Sequence, residues 1–151
     1  MKVEEFVDIF KNDIYIENII NSLNSERFSR ISLSGLIGSS AAVVAALVIK
    51  NIQKPQVFIL PDKESAAYFF NDLESLFEDS GLDFYKKRIL FFPASYKRAG
   101  DFQNLDTTNV LLRTEVLKRV QSDRSSPVFV TYPEALCEKV TSTSYIQKHT
   151  F

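Results

Sequence analysis

Short apolar runs separated by stretches of helical spacing define the pattern of this chain. The runs at residues 57–60, 89–92 and 128–131 are bounded by Pro, Gly or polar residues and predict β-strands. Residues 30–33 predict a further short strand, which ends at a Ser-Gly pair. Because the strands are apolar on both sides, we expect them to be buried between two layers of helices.

Helical spacing of apolar residues fills the intervals between the strands. The predicted helices cover residues 39–52, 62–81, 106–121 and 133–140. Ser39 or Ser40, Asp62 and Asp106 are the expected N-caps, and Gly81 is the expected end of the second of these helices. Val3, Phe6, Val7 and Phe10 are spaced as on a helix, and residues 14–23 predict a second short helix.

Strands that alternate with helices indicate right-handed βαβ units. We therefore predict an α/β fold, with a parallel sheet of about four strands and helices on both faces, like a P-loop NTPase. The order of the strands separates two versions of this fold. A P-loop sheet places its first and third strands on either side of a later one, whereas a Rossmann-type sheet places its first three strands side by side.

The domain prediction has three parts. Residues 1–28 form a helical lead-in, residues 29–141 the α/β domain, and residues 142–151 a tail at the start of a next subdomain. The tail is polar and the sheet is small for a free-standing fold of this type. Both features favour a piece of a larger protein.

Composition and charge narrow the function classes. Eighteen basic and nineteen acidic residues nearly cancel, so no global field draws the chain to nucleic acid or membrane. The most apolar stretch, residues 41–49, is too short for a bilayer span of roughly 20 residues. Cys137 and His149, the single cysteine and histidine, cannot form a disulfide or a zinc site of four such ligands. We expect a cytoplasmic protein without a metal.

Residues 34–42 read Ser-Gly-Leu-Ile-Gly-Ser-Ser-Ala-Ala and stand where a nucleotide-binding α/β fold has its phosphate loop. When Gly35 is aligned with the first glycine of G-x-x-x-x-G-K-[ST], Ser40 takes the second glycine position, Ala41 the lysine position and Ala42 the hydroxyl position. The lysine that reaches the outer phosphates and the hydroxyl that holds Mg²⁺ are both missing. We therefore expect no catalysis and no cofactor.

A structural role explains the same residues. Gly35 and Gly38 permit a tight turn from strand to helix, and the two alanines let the helix pack closely on the sheet. Backbone N–H groups at the helix start still permit weak anion binding. Hydroxyls of Ser34, Ser39 and Ser40 leave open an alternative, a nucleotide-binding domain with a non-standard phosphate loop.

Arg113 lies on the core-facing stripe of its predicted helix, together with Val116, Leu117 and Val120. A buried arginine needs a partner, which we expect to be a carboxylate or backbone carbonyls near the strand ends. Contact with DNA phosphate or with a neighbouring domain is the alternative role.

Basic residues next to aromatic ones occur on the long connection after the third apolar run. Lys97 and Arg98 lie between Tyr96 and Phe102, a pattern that suits contact with a nucleic-acid backbone and stacking on bases. A solvated loop explains them as well. Residues 86–88, Lys-Lys-Arg, are interpreted in the same two ways. The acidic pair Glu74 and Glu78 is predicted to lie on an exposed helix face.

Several of these segments together resemble a known family. They are residues 34–42, 57–62, 89–94 and 128–136. Leu112, Arg113 and Leu117, in the predicted helix at residues 106–121, belong to the same set. Their residues and order resemble the N-terminal region of the bacterial transcription-repair coupling factors (Mfd). That region is similar to the first domain of UvrB. The phosphate loop is intact in UvrB and degenerate in the coupling factors, as it is here.

The resemblance covers about residues 30–140 and implies a function through a parent protein. A coupling factor is an ATP-driven, Mg²⁺-dependent double-stranded DNA translocase that displaces stalled RNA polymerase and recruits UvrA for nucleotide excision repair. Its motor and polymerase-binding module lie C-terminal to this region. This chain would be a non-catalytic scaffold that contacts other domains of its parent, with UvrA and RNA polymerase as partners of the whole protein. The connection after Pro93 departs from the proline-rich family pattern.

Overall fold

The computed structural model describes residues 3–25, 28–96, 106–121 and 126–140. These residues form six α-helices and three β-strands. The helices are α1 (Val3–Ile9), α2 (Ile14–Asn24), α3 (Ser40–Asn51), α4 (Lys63–Leu76), α5 (Thr107–Gln121) and α6 (Pro133–Cys137). The strands are β1 (Gln56–Ile59), β2 (Ile89–Phe91) and β3 (Val128–Thr131).

The sheet is parallel and its order is β1-β3-β2. Val130 of β3 pairs with Phe58 on one side and with Phe91 on the other. The last strand is thus inserted between the two earlier ones, which a Rossmann-type order excludes. The predicted parallel α/β fold is confirmed, but the described residues form three strands rather than about four. The strands beside the last one are the second and third predicted strands, not the first and third.

The predicted strand at residues 30–33 is the one that is missing. Ile31 and Leu33 are 40% and 46% exposed, and residues 28–36 form no strand. The alternation of apolar and polar residues here predicts which side chains of a strand share a face, but it does not predict an adjacent strand. A strand needs an adjacent strand for its backbone N–H and C=O groups. Neither edge of the three-stranded sheet pairs with this segment.

Helices lie on both faces of the sheet, as predicted, but β1 is covered on one face only, since Val57 and Ile59 are 48% and 58% exposed. On one face, Phe69 of α4 lies 5.5 Å from Phe58 of β1, measured between ring centroids. Phe70 lies 5.3 Å from Phe91 of β2 on the same side. On the other face, Val116 of α5 is buried in the same core, where Phe129 packs on Phe92.

The N-terminal helices pack against the α/β part. Val7 of α1 and Ile16 and Ile19 of α2 form a second buried cluster with Leu47 of α3. Asp13 starts α2, because its carboxylate accepts the backbone N–H groups of Tyr15 and Ile16. This cluster fixes the helical lead-in against α3.

The helix starts were predicted better than the helix ends. Asp62 caps α4 by accepting the N–H of Ser65 at 2.7 Å, and Asp106 caps α5. Gly81 does not end α4. The helix ends at Leu76, and Gly81 lies in a separate 3₁₀ turn, since buried Asp79 accepts the N–H of Arg88 and turns the chain.

The last helix is also shorter than predicted. α6 stops at Cys137 because Glu138 is extended and its carboxylate binds Ser95 on a neighbouring loop. Cys137 is exposed, although its neighbours Ala135, Leu136 and Val140 favour a small buried hydrophobic residue at this position. Within the described part of the chain, no helix has the length and apolar character needed to cross a membrane.

Candidate functional site

The degenerate phosphate loop is a turn held by two glycines. Gly35 has φ 78° and Gly38 φ 57°, values that favour glycine. The N–H of Ser40 then donates to the carbonyl of Ile37 at 3.2 Å, and α3 begins. Ser39 occupies the N-cap position without a side-chain hydrogen bond, so neither predicted serine caps through its hydroxyl. The Ser40 hydroxyl is buried and has no partner among the described residues.

The two alanines face the protein, not a ligand. Ala42 is 1% exposed and belongs to the main core, and Ala41 is half-buried. This agrees with the close packing expected at the positions of the missing lysine and hydroxyl.

A cavity of about 1020 Å³ opens beside the loop. It lies between the two N-terminal helices, the loop, and one side of α3 and α4. Most of its wall is apolar. Its aromatic and aliphatic lining is Phe6, Phe10, Tyr15, Ile16, Ile19, Leu33, Leu36, Val43, Val44, Leu47 and Leu76. Ser32, Ser34, Ser39, Ser40 and Ser75 supply hydroxyls.

The charges at this cavity are acidic. Asp13 and Asp72 line it, and its described lining contains no lysine, arginine or histidine. Asp13 is engaged as a helix cap. Asp72 is half-buried and has no hydrogen bond or ion pair within the described residues. Among the described lining residues, a polyphosphate would meet two carboxylates and no cation.

Arg113 lies on α5, outside the lining of this cavity, and is 5% exposed. Its Nη1 donates to the carbonyls of Pro93 at 2.7 Å and Ala135 at 3.0 Å. Its guanidinium also stacks 4.2 Å from the ring centroid of Phe92. The expected pairing of this buried charge with carbonyls and a carboxylate is confirmed. Burial lowers the pKa of Arg113, and the charge of Glu138 opposes that shift.

Glu138 connects the loop after β2 to the end of α6. Its carboxylate accepts the N–H of Ser95 at 2.7 Å and the Ser95 hydroxyl. Tyr132 accepts the N–H of Ala94 at 2.9 Å, while Asn109 donates to the Ala94 carbonyl. These bonds hold the start of the long connection against α5 and α6.

The other basic candidates are dispersed. Lys97 and Arg98 lie outside the described residues. Lys87 forms an ion pair with Glu74, and Arg88 stacks 5.1 Å from the ring centroid of Phe77. Glu74 is 9% exposed, so its predicted exposed position is wrong. The described residues hold no group of three or more His, Cys, Asp or Glu side chains suited to a metal ion.

Comparison with curated proteins agrees with the α/β fold of the chain. The chain resembles UvrB. It is 27% identical to the "UvrABC system protein B" of Fervidobacterium nodosum over 116 residues, 72% of this chain and 17% of the relative. It is also 27% identical to the proteins of that name in Thermotoga maritima and Thermotoga petrophila over 129 residues, 81% of this chain and 19% of each relative.

The chain thus spans less than a fifth of the length of these relatives. No family model matches it, and no solved structure matches it significantly. The likeness supports a UvrB-like domain.

The cavity carboxylates were missed by sequence reasoning. Asp13 had a usable signal, since it immediately precedes a helix and can cap it. Asp72 had none, because a single acidic residue on an amphipathic helix is ordinarily solvated. Only the packing of α1 and α2 beside α4 places it on a cavity wall.

Proposed function

We propose that this chain is a non-catalytic, UvrB-like scaffold domain of a nucleotide excision repair protein. The observation that carries the proposal is the loop at residues 34–42. The chain resembles UvrB, yet alanines stand at the lysine and hydroxyl positions, and the adjoining cavity offers carboxylates in place of cations. A domain of this kind supports its neighbours in the parent chain and leaves nucleotide chemistry to them.

The finer proposal is a transcription-repair coupling factor. The degenerate loop and the segments at residues 57–62, 89–94 and 128–136 support it, since they resemble that family in order. The parent would displace stalled RNA polymerase by ATP-driven translocation on DNA and recruit UvrA. This chain would contribute no ATP or Mg²⁺ site. Weak contact with DNA through Lys97 and Arg98, or contact of Arg113 with a neighbouring domain, also stays a prediction.

Isothermal titration of the chain with ATP and Mg²⁺ tests the scaffold proposal. We expect no saturable heat, because Ala41 and Ala42 cannot replace the missing groups. Micromolar binding would overturn the proposal and favour the alternative, a nucleotide-binding domain that uses serine hydroxyls. The variant Ser40→Ala is then the discriminating control, since that alternative requires its hydroxyl and the scaffold does not.

The reading frame of the gene beyond codon 151 tests the coupling-factor proposal. We expect a UvrA-binding subdomain, a polymerase-binding module and helicase motifs encoded in frame. A stop codon close to Phe151 would contradict the coupling-factor proposal while leaving the UvrB-like likeness intact.

A further inference from the structure

The cavity beside the loop has a chemistry that the scaffold role does not explain. Its wall is largely apolar, its volume is about 1020 Å³, and its charged lining within the described residues is the two carboxylates Asp13 and Asp72. We propose that this cavity binds a basic amphipathic protein segment, which inserts apolar side chains and places a lysine or arginine beside Asp72. The inference rests on the cavity alone and stands independently of the role in excision repair.

The apolar wall continues onto exposed surface. Of the lining residues, Tyr15 is 75% exposed, and Leu33 and Leu36 are 46% and 41% exposed. Ile37, which follows Leu36 in the chain, is 85% exposed. A small ligand inside the cavity would leave this rim in water, and the cavity already reaches the upper end of small-molecule pocket sizes. A protein segment covers both the cavity and the rim. Contiguous exposed apolar surface of this kind is typical of an interaction site.

Charge selects the kind of segment. Asp72 is half-buried and has no hydrogen-bond or ion-pair partner among the described residues. Residues 3–25, which form one wall, contain five acidic residues and one lysine. An acidic segment would therefore be repelled, whereas a basic one would supply the missing partner of Asp72. A helix with apolar residues at i, i+3, i+4 and i+7 and lysines on its flanks has this chemistry.

The absence of tryptophan from the sequence provides a direct reporter. Leu36→Trp places a single tryptophan at the rim of the cavity, and Leu136→Trp places one on exposed α6, outside the cavity lining. The probe is a fluorescein-labelled peptide of leucine and lysine at helical spacing, and its counterpart has glutamate in place of lysine. Peptide binding to the full chain is measured by fluorescence anisotropy, and unlabelled peptide is used for tryptophan emission.

We expect saturable binding of the leucine–lysine peptide and a blue shift of emission from Leu36→Trp but not from Leu136→Trp. The glutamate counterpart should bind at least about tenfold more weakly. Asp72→Asn should weaken the lysine peptide about fivefold, because it removes the charge and keeps the side-chain shape. Asp83→Asn is the matched control, an exposed aspartate outside the cavity, and should leave binding unchanged.

Three results of the peptide experiments would overturn the proposal. They are equal binding of the two peptides, equal loss of affinity in Asp72→Asn and Asp83→Asn, and no emission change in Leu36→Trp at saturation. A blue shift that grows with protein concentration before peptide is added would assign the surface to a second copy of the chain, which also overturns it. Circular dichroism of each variant confirms that an affinity change does not come from unfolding.

Discussion

Arg113 and Glu138 are joined by two contacts that reach across 25 residues of sequence. Nη2 of Arg113 donates to the backbone carbonyl of Glu138 at 3.5 Å, and Nε lies 3.7 Å from its carboxylate Oε1. The same guanidinium binds the carbonyls of Pro93 and Ala135. One buried cation thus fixes α5, the end of β2 and the end of α6 together.

The first prediction follows from removal of that cation. Arg113→Met keeps most of the apolar stem but leaves the buried carbonyls without their donor and the Glu138 carboxylate without its cation. We expect the free energy of unfolding to fall by about 3 kcal/mol, the range found when one partner of a buried ion pair is removed. Urea denaturation followed by circular dichroism measures the change.

Lys118→Met is the matched control, because Lys118 is exposed on the same helix. Its effect should stay within about 0.5 kcal/mol, as for most surface substitutions. Equal effects of the two substitutions would show that the Arg113 network does not stabilise the fold.

The second prediction concerns the partly buried pair of Glu74 and Lys87, which joins α4 to the segment before β2. Glu74→Gln removes the charge and leaves the Lys87 ammonium without its partner in a half-buried position. We expect a loss of about 1–2 kcal/mol in the free energy of unfolding. Glu64→Gln, at the exposed first turn of the same helix, should change it by less than about 0.5 kcal/mol. The pair is not stabilising if both variants unfold alike.

Features that depend on residues close together in the sequence were predicted well, and features that depend on a distant segment were not. Helix starts at Asp62 and Asp106 require only a carboxylate three residues before a free N–H, and both were predicted. The strands at residues 57–60, 89–92 and 128–131 were found because short continuous apolar runs are typical of strands. The burial on both faces that such runs indicate does not hold for β1, where Val57 and Ile59 are exposed. The strand at residues 30–33 failed because pairing depends on a neighbour that the pattern does not specify.

Arg113 and Asp72 show the same limit at the level of side chains. The helical stripe around Arg113 predicted a buried charge and the type of its partners, since an unpaired buried charge is too costly to retain. The stripe could not identify Glu138 as the partner of Arg113, because Glu138 lies at the end of another helix, α6. Asp72 gave no signal at all, because its cavity is formed by α1, α2 and α4 packing from distant parts of the sequence.

The third prediction is a decline of stability at alkaline pH. Burial raises the pKa of the Tyr132 hydroxyl, which accepts the N–H of Ala94 at 2.9 Å. The folded state therefore keeps this proton to a higher pH than the unfolded state does. Tyrosines of the unfolded state titrate at about pH 10. The stability contributed by neutral Tyr132 is fully present below that pH and is lost as the pH rises above it.

Tyr132→Phe tests the alkaline decline. The variant should lose about 1 kcal/mol at neutral pH through the missing hydrogen bond. Its free energy of unfolding should then fall less steeply above about pH 10. Tyr68→Phe, which alters an exposed tyrosine, should show the same decline of the free energy of unfolding with pH as the unsubstituted chain. A slope unchanged in Tyr132→Phe would assign the decline to other groups.

The fourth prediction concerns the backbone of the degenerate loop. Gly35 and Gly38 have positive φ, and a Cβ built on either one meets no atom within 4 Å. Substitution by alanine therefore costs backbone conformational energy alone, about 1 kcal/mol at each position. Gly38→Asn should cost less than Gly38→Ala, because asparagine adopts this conformation more readily. Thermal unfolding at one protein concentration measures all three variants.

Gly81→Ala is the control for the substitutions of Gly35 and Gly38. Gly81 also has open space for a Cβ but lacks a positive φ, so alanine there should stabilise the chain by about 0.5 kcal/mol through the unfolded state. Opposite signs at Gly38 and Gly81 would show that the turn before α3 holds its left-handed conformation without any bound phosphate. The same stabilisation at both would mean that the turn relaxes freely, and the loop would then not be a fixed wall of the cavity.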